Sequence, residues 1–278
     1  MPGRLILCAT PIGNLSDASP RLAESLGSAD LILAEDTRRS STLLRSLGIK
    51  KPIRSYFAGN ENRRAVELIA LLQEGKTVAL VTDAGTPAIS DPGVSAVAAA
   101  RQAGAVITVV PGPSAVTAAL AVSGLASDRF VFEGFLPKRG QERDERLTAL
   151  ASETRTTVIF VAPHQLIEDL KALASIAPDR PLCIARELTK LFEEIQWTTP
   201  GVAADEWVRR EIQGEFTLVL GGGNAIEPDL ENGVEAVLTE IANGLQMSEA
   251  VRTVAARSGL PRRTLYEEVL ARTRETQP

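Results

Sequence analysis

The chain has few of the side chains that bind metals or form disulfides: two of its 278 residues are cysteine and one is histidine. Cys8 and Cys183 each lie in a short apolar run, which predicts buried thiols in strands. His164 alone cannot supply the ligand set of a tetrahedral zinc site. The sequence therefore predicts neither a disulfide scaffold nor a metal centre.

Long hydrophobic runs are also missing. No uncharged apolar stretch reaches the roughly 18 residues of a membrane span, and the N-terminus lacks the apolar region and cleavage site of a signal peptide. These absences predict a cytoplasmic protein without a membrane partner.

Positive charge is in slight deficit. The formal net charge is -5 and the sequence pI is about 5.2, so the whole chain has no general attraction to nucleic acid. Any RNA partner must therefore meet a local basic patch. The hydrophobic fraction of 44% and the charged fraction of 23% are ordinary for a folded protein and predict a substantial core.

Two nucleotide-binding fingerprints are absent: the sequence contains neither a GxGxxG turn nor a GxxxxGK[ST] phosphate loop. Dinucleotide and P-loop nucleotide sites lose their main support. A different cofactor is needed.

Short apolar runs alternate with helical patterns through the first half of the chain. The run at 4–8 precedes a helix start at Ser19-Pro20, and the alternation continues to a strand at 106–110 and a helix at 114–122. This predicts a mostly parallel α/β sheet. The second half has a different pattern, with strands predicted at 130–133, 157–161, 182–185, 192–197 and 216–220 and helices at 165–175 and 202–211.

These patterns predict an α/β domain over 1–122, a mixed α+β domain over 123–222, and a linker with a helical tail over 223–278. In the tail, Ser258-Gly259 and Pro261 separate two helical patterns. That arrangement is typical of a helix-turn-helix and equally of a helical cap.

Three loops rich in glycine, proline and small polar residues follow predicted strands, at 9–14, 83–93 and 111–115. Each lies beyond the carboxyl end of its strand, where open α/β sheets bind ligands. Any one of them could be an ordinary turn. Three on the same sheet edge favour a shared ligand site.

Together with Glu-Asp-Thr-Arg at 35–38 and Arg-Glu-Leu-Thr-Lys at 186–190, these loops resemble the ribosomal RNA small-subunit methyltransferase I family of the tetrapyrrole methylase superfamily. Segments at 123–125, 133–137, 163–164 and 214–216 continue the match in the family's order. The resemblance spans roughly residues 4–221, and the tail resembles the family's helical extension.

The resemblance implies a tetrapyrrole-methylase-like (class III methyltransferase) fold: two α/β domains with the cofactor cleft between them, and a small C-terminal helical domain. It implies S-adenosylmethionine as cofactor and methylation of the ribose 2′-hydroxyl of a cytidine in the decoding region of 16S ribosomal RNA. The implied partners are this RNA, within the 30S particle, and a second copy of the chain in a homodimer.

The same resemblance assigns cofactor contacts to the three loops and to two segments of the second domain. Carried over by position, they are Thr10, Pro11, Ile12, Gly13, Gly85, Thr86, Ile89, Ser114, Ala115, Val161, Ala162, Phe216 and Thr217.

Methyl transfer is an in-line displacement, in which the enzyme mainly aligns the acceptor with the methyl carbon and sulfur. The hydroxyl is a weak nucleophile, so a base or a cation near the developing alkoxide would help. The predicted catalytic residues are Glu35, Asp36 and Lys190, with His164 as a further candidate. Asp36 could equally cap the helix that follows it, Lys190 could be a solvated strand-end charge, and His164 could be an ordinary helix-start residue.

Exposed cations near the loops are candidates for phosphate contacts. The predicted RNA-binding residues are Arg38, Arg39, Lys138 and Arg139, to which Arg63-Arg64 and Arg143 could add. Singly, each is more often a solvated charge.

The chain departs from the family pattern at two places. Phe57 occupies a position where many members have histidine, and Val161-Ala162 replaces a segment that usually contains an acid. Two other functions stay open: a small-molecule tetrapyrrole methylase, which usually has a Gly-Gly-Asp-Pro loop, and a non-catalytic nucleic-acid-binding regulator that uses the tail.

Overall fold

Parallel strands from the first half of the chain form one sheet. In the computed structural model, which describes residues 2–223, 230–258 and 260–275, the strands are β1 (Arg4–Cys8), β2 (Leu31–Ala34), β3 (Ile53–Ser55), β4 (Thr77–Val81) and β5 (Val106–Val110). They pair in the order β3-β2-β4-β1-β5, and every pair is parallel. The prediction of a mostly parallel sheet is confirmed.

Helices cover both faces of this sheet, which is why its central strands are almost wholly apolar. The covering helices are α1 (Pro20–Ser28), α2 (Thr37–Ser46), α3 (Glu61–Gln73) and α4 (Val94–Gln102). A fifth helix, α5 (Ala115–Ser123), follows β5 and does not belong to either of these two layers. Adjacent residues of a strand point to opposite faces, so Leu5 packs with α3 and α4, while Ile6 packs with α1 and α2.

The second sheet contains both parallel and antiparallel strand pairs. Its strands are β6 (Phe130–Phe135), β7 (Thr156–Val161), β8 (Leu182–Arg186), β9 (Glu194–Thr198) and β10 (Phe216–Leu220), in the order β6-β7-β10-β8-β9. β6 and β7 are parallel and the remaining pairs are antiparallel. The same half of the chain contains helices α6 (Gln141–Ser152), α7 (Leu166–Ile176) and α8 (Pro200–Trp207). The side chain of Trp207 is fully buried in the apolar core beside this sheet.

Helix α5 connects the two sheets. Val116, Ala119 and Leu120 pack against the second sheet, in one cluster with Ile12 of the loop that follows β1. The loops of the first sheet are thereby held against the second sheet. Both sheets belong to one compact unit, residues 1–223, and the domain boundary at 122 stays a prediction.

The two cysteines are buried, as predicted, in β1 and β8. Burial raises the pKa of the Cys8 thiol to about 12 and that of Cys183 to about 11. Both side chains therefore act as small apolar residues of the core.

Local contacts and backbone conformation determine where several helices begin. Helix α2 begins at Thr37 because Asp36 caps it. The charged stretch at 138–146 is mostly helix α6, which was not predicted. Helix α4 begins at Val94 because Gly93, at φ 146°, ends a loop with a conformation closed to other residues.

The second unit, residues 224–278, contains helices α9 (Leu230–Ala242), α10 (Met247–Ser258) and α11 (Arg262–Glu275). They share an apolar core that includes Val234, Val251 and Leu265. Residues 224–229 of the predicted linker and Gly259 of the predicted turn lie outside the described residues. Among the helices that the structure describes, none combines the length and the apolar character of a membrane span.

Candidate functional site

A cavity of about 380 Å³ lies where the loops after β1, β2, β4 and β5 meet the second sheet. Its size is within the range of small-molecule sites. All but three of the predicted cofactor-binding residues line it: Ile12, Gly85, Thr86, Ile89, Ser114, Ala115, Val161, Ala162, Phe216 and Thr217.

The other three predicted cofactor residues, Thr10, Pro11 and Gly13, do not line the cavity. Thr10 forms a two-way backbone bridge with Gly85, with N···O distances of 2.8 and 3.1 Å, and its hydroxyl donates to the Thr82 carbonyl. At Gly13, a Cβ atom would come within 2.5 Å of the Lys190 side chain. Thr10 therefore holds the loops after β1 and β4 in contact, and Gly13 leaves room for the Lys190 side chain.

The loop between β4 and α4 has an unusual backbone. Gly85 and Gly93 have positive φ, and so do Ala88 (70°) and Ser90 (61°), which carry side chains. Such conformations cost free energy and cluster at functional sites. The loop is held by two internal backbone hydrogen bonds of 3.3 Å, and by one from the Gly93 N–H to Glu61 Oε1 at 3.0 Å.

One end of the cavity is acidic. Glu35, Asp83 and Asp91 line it, and the buried Thr82 hydroxyl lies 2.8 Å from Glu35 Oε2 and 2.6 Å from Asp91 Oδ2. A hydroxyl donates only one proton, so the two carboxylates compete for it. Among the described residues, no group of three or more His, Cys, Asp or Glu side chains is arranged so that it could hold a metal ion.

The pKa values of these acids reflect their setting. Burial raises the pKa of Asp91 to about 6, against the lowering effect of the Thr82 hydrogen bond and with added repulsion from Glu35 and Asp83. Burial also raises the pKa of Asp83, although the Asp36 N–H donates to it at 2.9 Å. An acidic, partly buried end favours a ligand with a positive charge.

Asp83 and Asp91 were missed as site residues. Both lie in the loop at 83–93, which the sequence predicts as part of a ligand site, but neither carboxylate is among the predicted site residues. The available signal was a pair of aspartates flanking a Gly-Pro-rich loop directly after a buried strand.

The opposite wall is apolar. Phe135, Phe160, Leu188 and Phe216 line it, and the rings of Phe135 and Phe160 lie 5.6 Å apart. A β-bulge in β6 at Gly134, which has φ 70°, brings this strand close to the Ser90 side chain. The two phenylalanines were not predicted, because their distance from the loops along the chain hides their proximity.

The amino end of α5 opens into the cavity. Ser114, Ala115 and Val116 line it, and the Ser114 side chain does not cap the helix. The first-turn N–H groups of a helix lack partners within the helix and attract anions. A ligand carboxylate is therefore suited to this end.

Of the predicted catalytic residues, Glu35 lines the cavity and Asp36 does not. Asp36 caps α2 and forms two side-chain hydrogen bonds to Arg38, at 3.2 and 2.8 Å. The bonds from the Arg38 side chain and N–H hold the pKa of Asp36 at about 2. This geometry fits the capping interpretation of Asp36 and opposes a role as a base.

Lys190 also lies outside the lining. Its ammonium binds Glu187 Oε1 at 2.8 Å and Glu215 Oε2 at 3.0 Å. Burial lowers the pKa of Lys190, but these two hydrogen bonds outweigh burial and raise the pKa above its ordinary value. Glu187 and Thr189 have φ of 52° and 67°, so the ion pairs hold a strained loop. Lys190 is a cation beside the cavity and a poor base.

The remaining predicted residues lie at or beyond the rim. Arg39 lines the cavity and lies 3.5 Å from Asp83 Oδ2, and the exposed Lys138, Arg139 and His164 do not line it. The suggestion that Arg143 contacts phosphate was wrong: its side chain is buried and lies 2.8 Å from Asp169 Oδ1.

Two known sequence families match the two parts of this chain. A model of the tetrapyrrole (corrin/porphyrin) methylases matches residues 4–202, and a model of the RsmI C-terminal HTH domain matches residues 227–273. Ribosomal RNA small subunit methyltransferase I from Synechocystis sp. is 44% identical over 95% of this chain and 96% of its own length. The protein of that name from Xylella fastidiosa is 45% identical over 95% and 98%.

The chain belongs to the ribosomal RNA small subunit methyltransferase I family. The resemblance inferred from the loop motifs is confirmed. Among solved structures, uroporphyrin-III-C-methyltransferase from Thermus thermophilus has a TM-score of 0.57 at 20% identity and covers 79% of this chain and 94% of its own. The predicted tetrapyrrole-methylase-like fold is thereby confirmed, with the family's helical domain following it.

Proposed function

We propose that this methyltransferase I family member transfers a methyl group from S-adenosylmethionine to the ribose 2′-hydroxyl of a cytidine in the decoding region of 16S ribosomal RNA. The observation that carries the proposal is one cavity with an acidic end, an apolar wall and an open helix amino end. Its relatives are named for small-subunit ribosomal RNA.

The three parts of the cavity correspond to the three parts of this cofactor. The carboxylates of Glu35, Asp83 and Asp91 suit its ammonium and sulfonium charges. The amino end of α5 suits the methionine carboxylate, and the wall of Phe160 and Phe216 suits the neutral adenine, which needs an apolar pocket with few hydrogen bonds.

When bound, S-adenosylmethionine supplies the methyl group and leaves as neutral S-adenosylhomocysteine. The protein orients the acceptor hydroxyl in line with the carbon–sulfur bond and excludes competing water. As the methyl group arrives, the hydroxyl proton must leave. Glu35 is the predicted catalytic residue that lines the cavity, so we assign it the proton, while Asp36 and Lys190 position the adjoining loops.

The acceptor follows from chemistry and relationship. A ribose 2′-hydroxyl is present in RNA and absent from DNA, and the acidic net charge confines RNA contacts to local basic surfaces such as Arg38 and Lys138-Arg139. The proposal places the protein in the cytoplasm as a homodimer acting on the 30S particle.

The direct test is transfer of labelled methyl from S-adenosylmethionine to 30S particles from a strain without the endogenous activity. We expect label on one cytidine ribose. Calorimetric binding of the cofactor without transfer to RNA would remove the ribosomal assignment and favour a tetrapyrrole acceptor.

Gly85→Val is expected to abolish detectable cofactor binding and methyl transfer. Gly85 has φ 84° and lines the cavity, and a β-branched residue is poorly tolerated at positive φ. Gly104→Val is the matched control, because Gly104 has φ 66° and open space around it, away from the cavity. Calorimetry on both variants tests the expectation. Equal loss in both would mean that backbone strain alone accounts for the effect.

A further inference from the structure

The cations of helix α2 differ in their partners along its length. At its start, Arg38 pairs with Asp36 and Arg39 lies 3.5 Å from Asp83, beside the cavity. Arg45, on the last turn, has no ion pair or side-chain hydrogen bond among the described residues. Arg38 and Arg45 are seven residues apart, so they share one helix face about 10 Å apart.

The chain turns back directly after α2. The Gly48 N–H donates to the Arg45 carbonyl at 3.1 Å and the Ile49 N–H to the Leu44 carbonyl at 2.8 Å, with Gly48 at φ 69°. These two bonds form a Schellman motif. The turn brings Lys50 and Lys51 beside Arg45.

Together these cations line an open groove of about 600 Å³ between the end of α2 and the start of β3. Its lining includes Arg45, Lys50 and Lys51 and contains no carboxylate. In the part of the chain that the structure describes, neither lysine has an ion pair. The groove thus concentrates uncompensated positive charge in a chain whose net charge is -5.

Helix capping does not account for these cations. Basic residues near a helix carboxyl end can bind its last carbonyls, yet here backbone N–H groups already serve the carbonyls of Leu44 and Arg45. A concave basic surface without acids attracts phosphates, which make up most protein contacts to nucleic acid.

We propose that this groove, formed by Arg45, Lys50 and Lys51, binds backbone phosphates of the ribosomal RNA substrate. The inference rests on the proposed function for the identity of the RNA. The α2 helix connects the groove to the cavity: Arg39 at its first turn lines the cavity, and Arg45 at its last turn lines the groove. Arg39 and Arg45 are six residues apart, about 9 Å along the helix axis, so RNA bound in the groove lies close to the cavity.

The test is the salt dependence of binding by a triple variant, Arg45→Gln, Lys50→Gln and Lys51→Gln, in the full chain. The probes are 30S particles and an RNA oligonucleotide copying the decoding-region hairpin. The matched control, Arg101→Gln, Lys171→Gln and Arg209→Gln, removes three exposed cations elsewhere. Each lost phosphate contact lowers the magnitude of the slope of log K against log salt by about 0.7. We therefore expect this magnitude to fall by about 2 in the groove variant, which loses three cations.

In the same variant, the KM for 30S particles should rise about 10-fold or more, while kcat, cofactor affinity and Tm stay unchanged. The inference would be overturned if the groove variant kept the wild-type salt slope, or if the control variant lost as much RNA affinity as the groove variant. In either case, methyl transfer by the wild type would still support the proposed function. Wild-type RNA binding that depends on the groove but yields no transfer would count against the proposed function alone. A wild type that binds neither probe would overturn both.

Discussion

Asp91→Asn should weaken S-adenosylmethionine binding by about 10- to 100-fold at pH 7.5, which corresponds to loss of one hydrogen-bonded charge contact. The same change removes a carboxylate that the folded chain holds at a cost. The pKa of Asp91 is about 6 against an ordinary 3.8, so the folded state keeps a proton that the unfolded chain has already released. The contribution of Asp91 to the free energy of unfolding therefore falls as pH rises from 3.8 to 6.

Without cofactor at pH 7.5, the variant should consequently have a Tm about 2–4 °C higher than the wild type. Wild-type affinity should decline as pH falls below about 6, and this decline should be missing from the variant. Calorimetry with S-adenosylmethionine and S-adenosylhomocysteine separates the two charges, because the product has lost the sulfonium.

Asp179→Asn is the control, since Asp179 is exposed and does not line the cavity. Equal loss of affinity for cofactor and product would assign Asp91 to the ammonium, and selective loss for the cofactor would assign it to the sulfonium. Unchanged affinity for both would contradict the placement of positive charge at this end.

Asp169→Ala should destabilise the protein by about 3–5 kcal/mol, because it leaves the Arg143 guanidinium buried without its counter-charge. The Asp169 carboxylate is almost fully buried, and Arg143 also donates to the Pro137 carbonyl at 2.8 Å. Burial raises the pKa of Asp169 despite the Arg143 hydrogen bond, so the pair itself adds little stability. Chemical denaturation measures the change.

The double variant Arg143→Met and Asp169→Leu should lose much less than Asp169→Ala, because it removes both charges together. Glu142→Ala is the matched control on α6, the helix that carries Arg143, since Glu142 is largely exposed in its pair with Arg146. This change should cost less than about 1 kcal/mol. A double variant as unstable as Asp169→Ala would mean that the pair is needed for its hydrogen bonds, beyond charge balance.

Much of the fold could be predicted because local signals and burial agree. Apolar runs such as 4–8 and 77–81 are strands covered on both faces. Ser19-Pro20 predicts a helix start, and α1 begins there. Helix α6 escaped prediction because its charged sequence lacks a strong apolar face, and its position depends on Arg143 reaching Asp169 across to α7. That contact joins residues 26 positions apart, which no local pattern encodes.

The candidate site divides in the same way. The loops after β1, β4 and β5 could be predicted because parallel strands bring their carboxyl ends to one edge. The roles within them could not. Lys190 and Asp36 have suggestive sequence positions, but their partners, Glu215 and Arg38, determine what they can do. Phe135 and Phe160 reach the cavity through the packing of the second sheet, which follows from tertiary contacts alone.

The backbone bridge between Thr10 and Gly85 affects how a ligand can enter and leave the cavity. It links the loops after β1 and β4, and the Thr10 hydroxyl adds a third bond to the Thr82 carbonyl. These hydrogen bonds fix the two loops to each other, so neither loop can move away from the cavity without breaking them. We expect ligand exchange to proceed by movement of the facing segments around Ala162 and Glu215, so turnover should depend on how fast that side opens and closes.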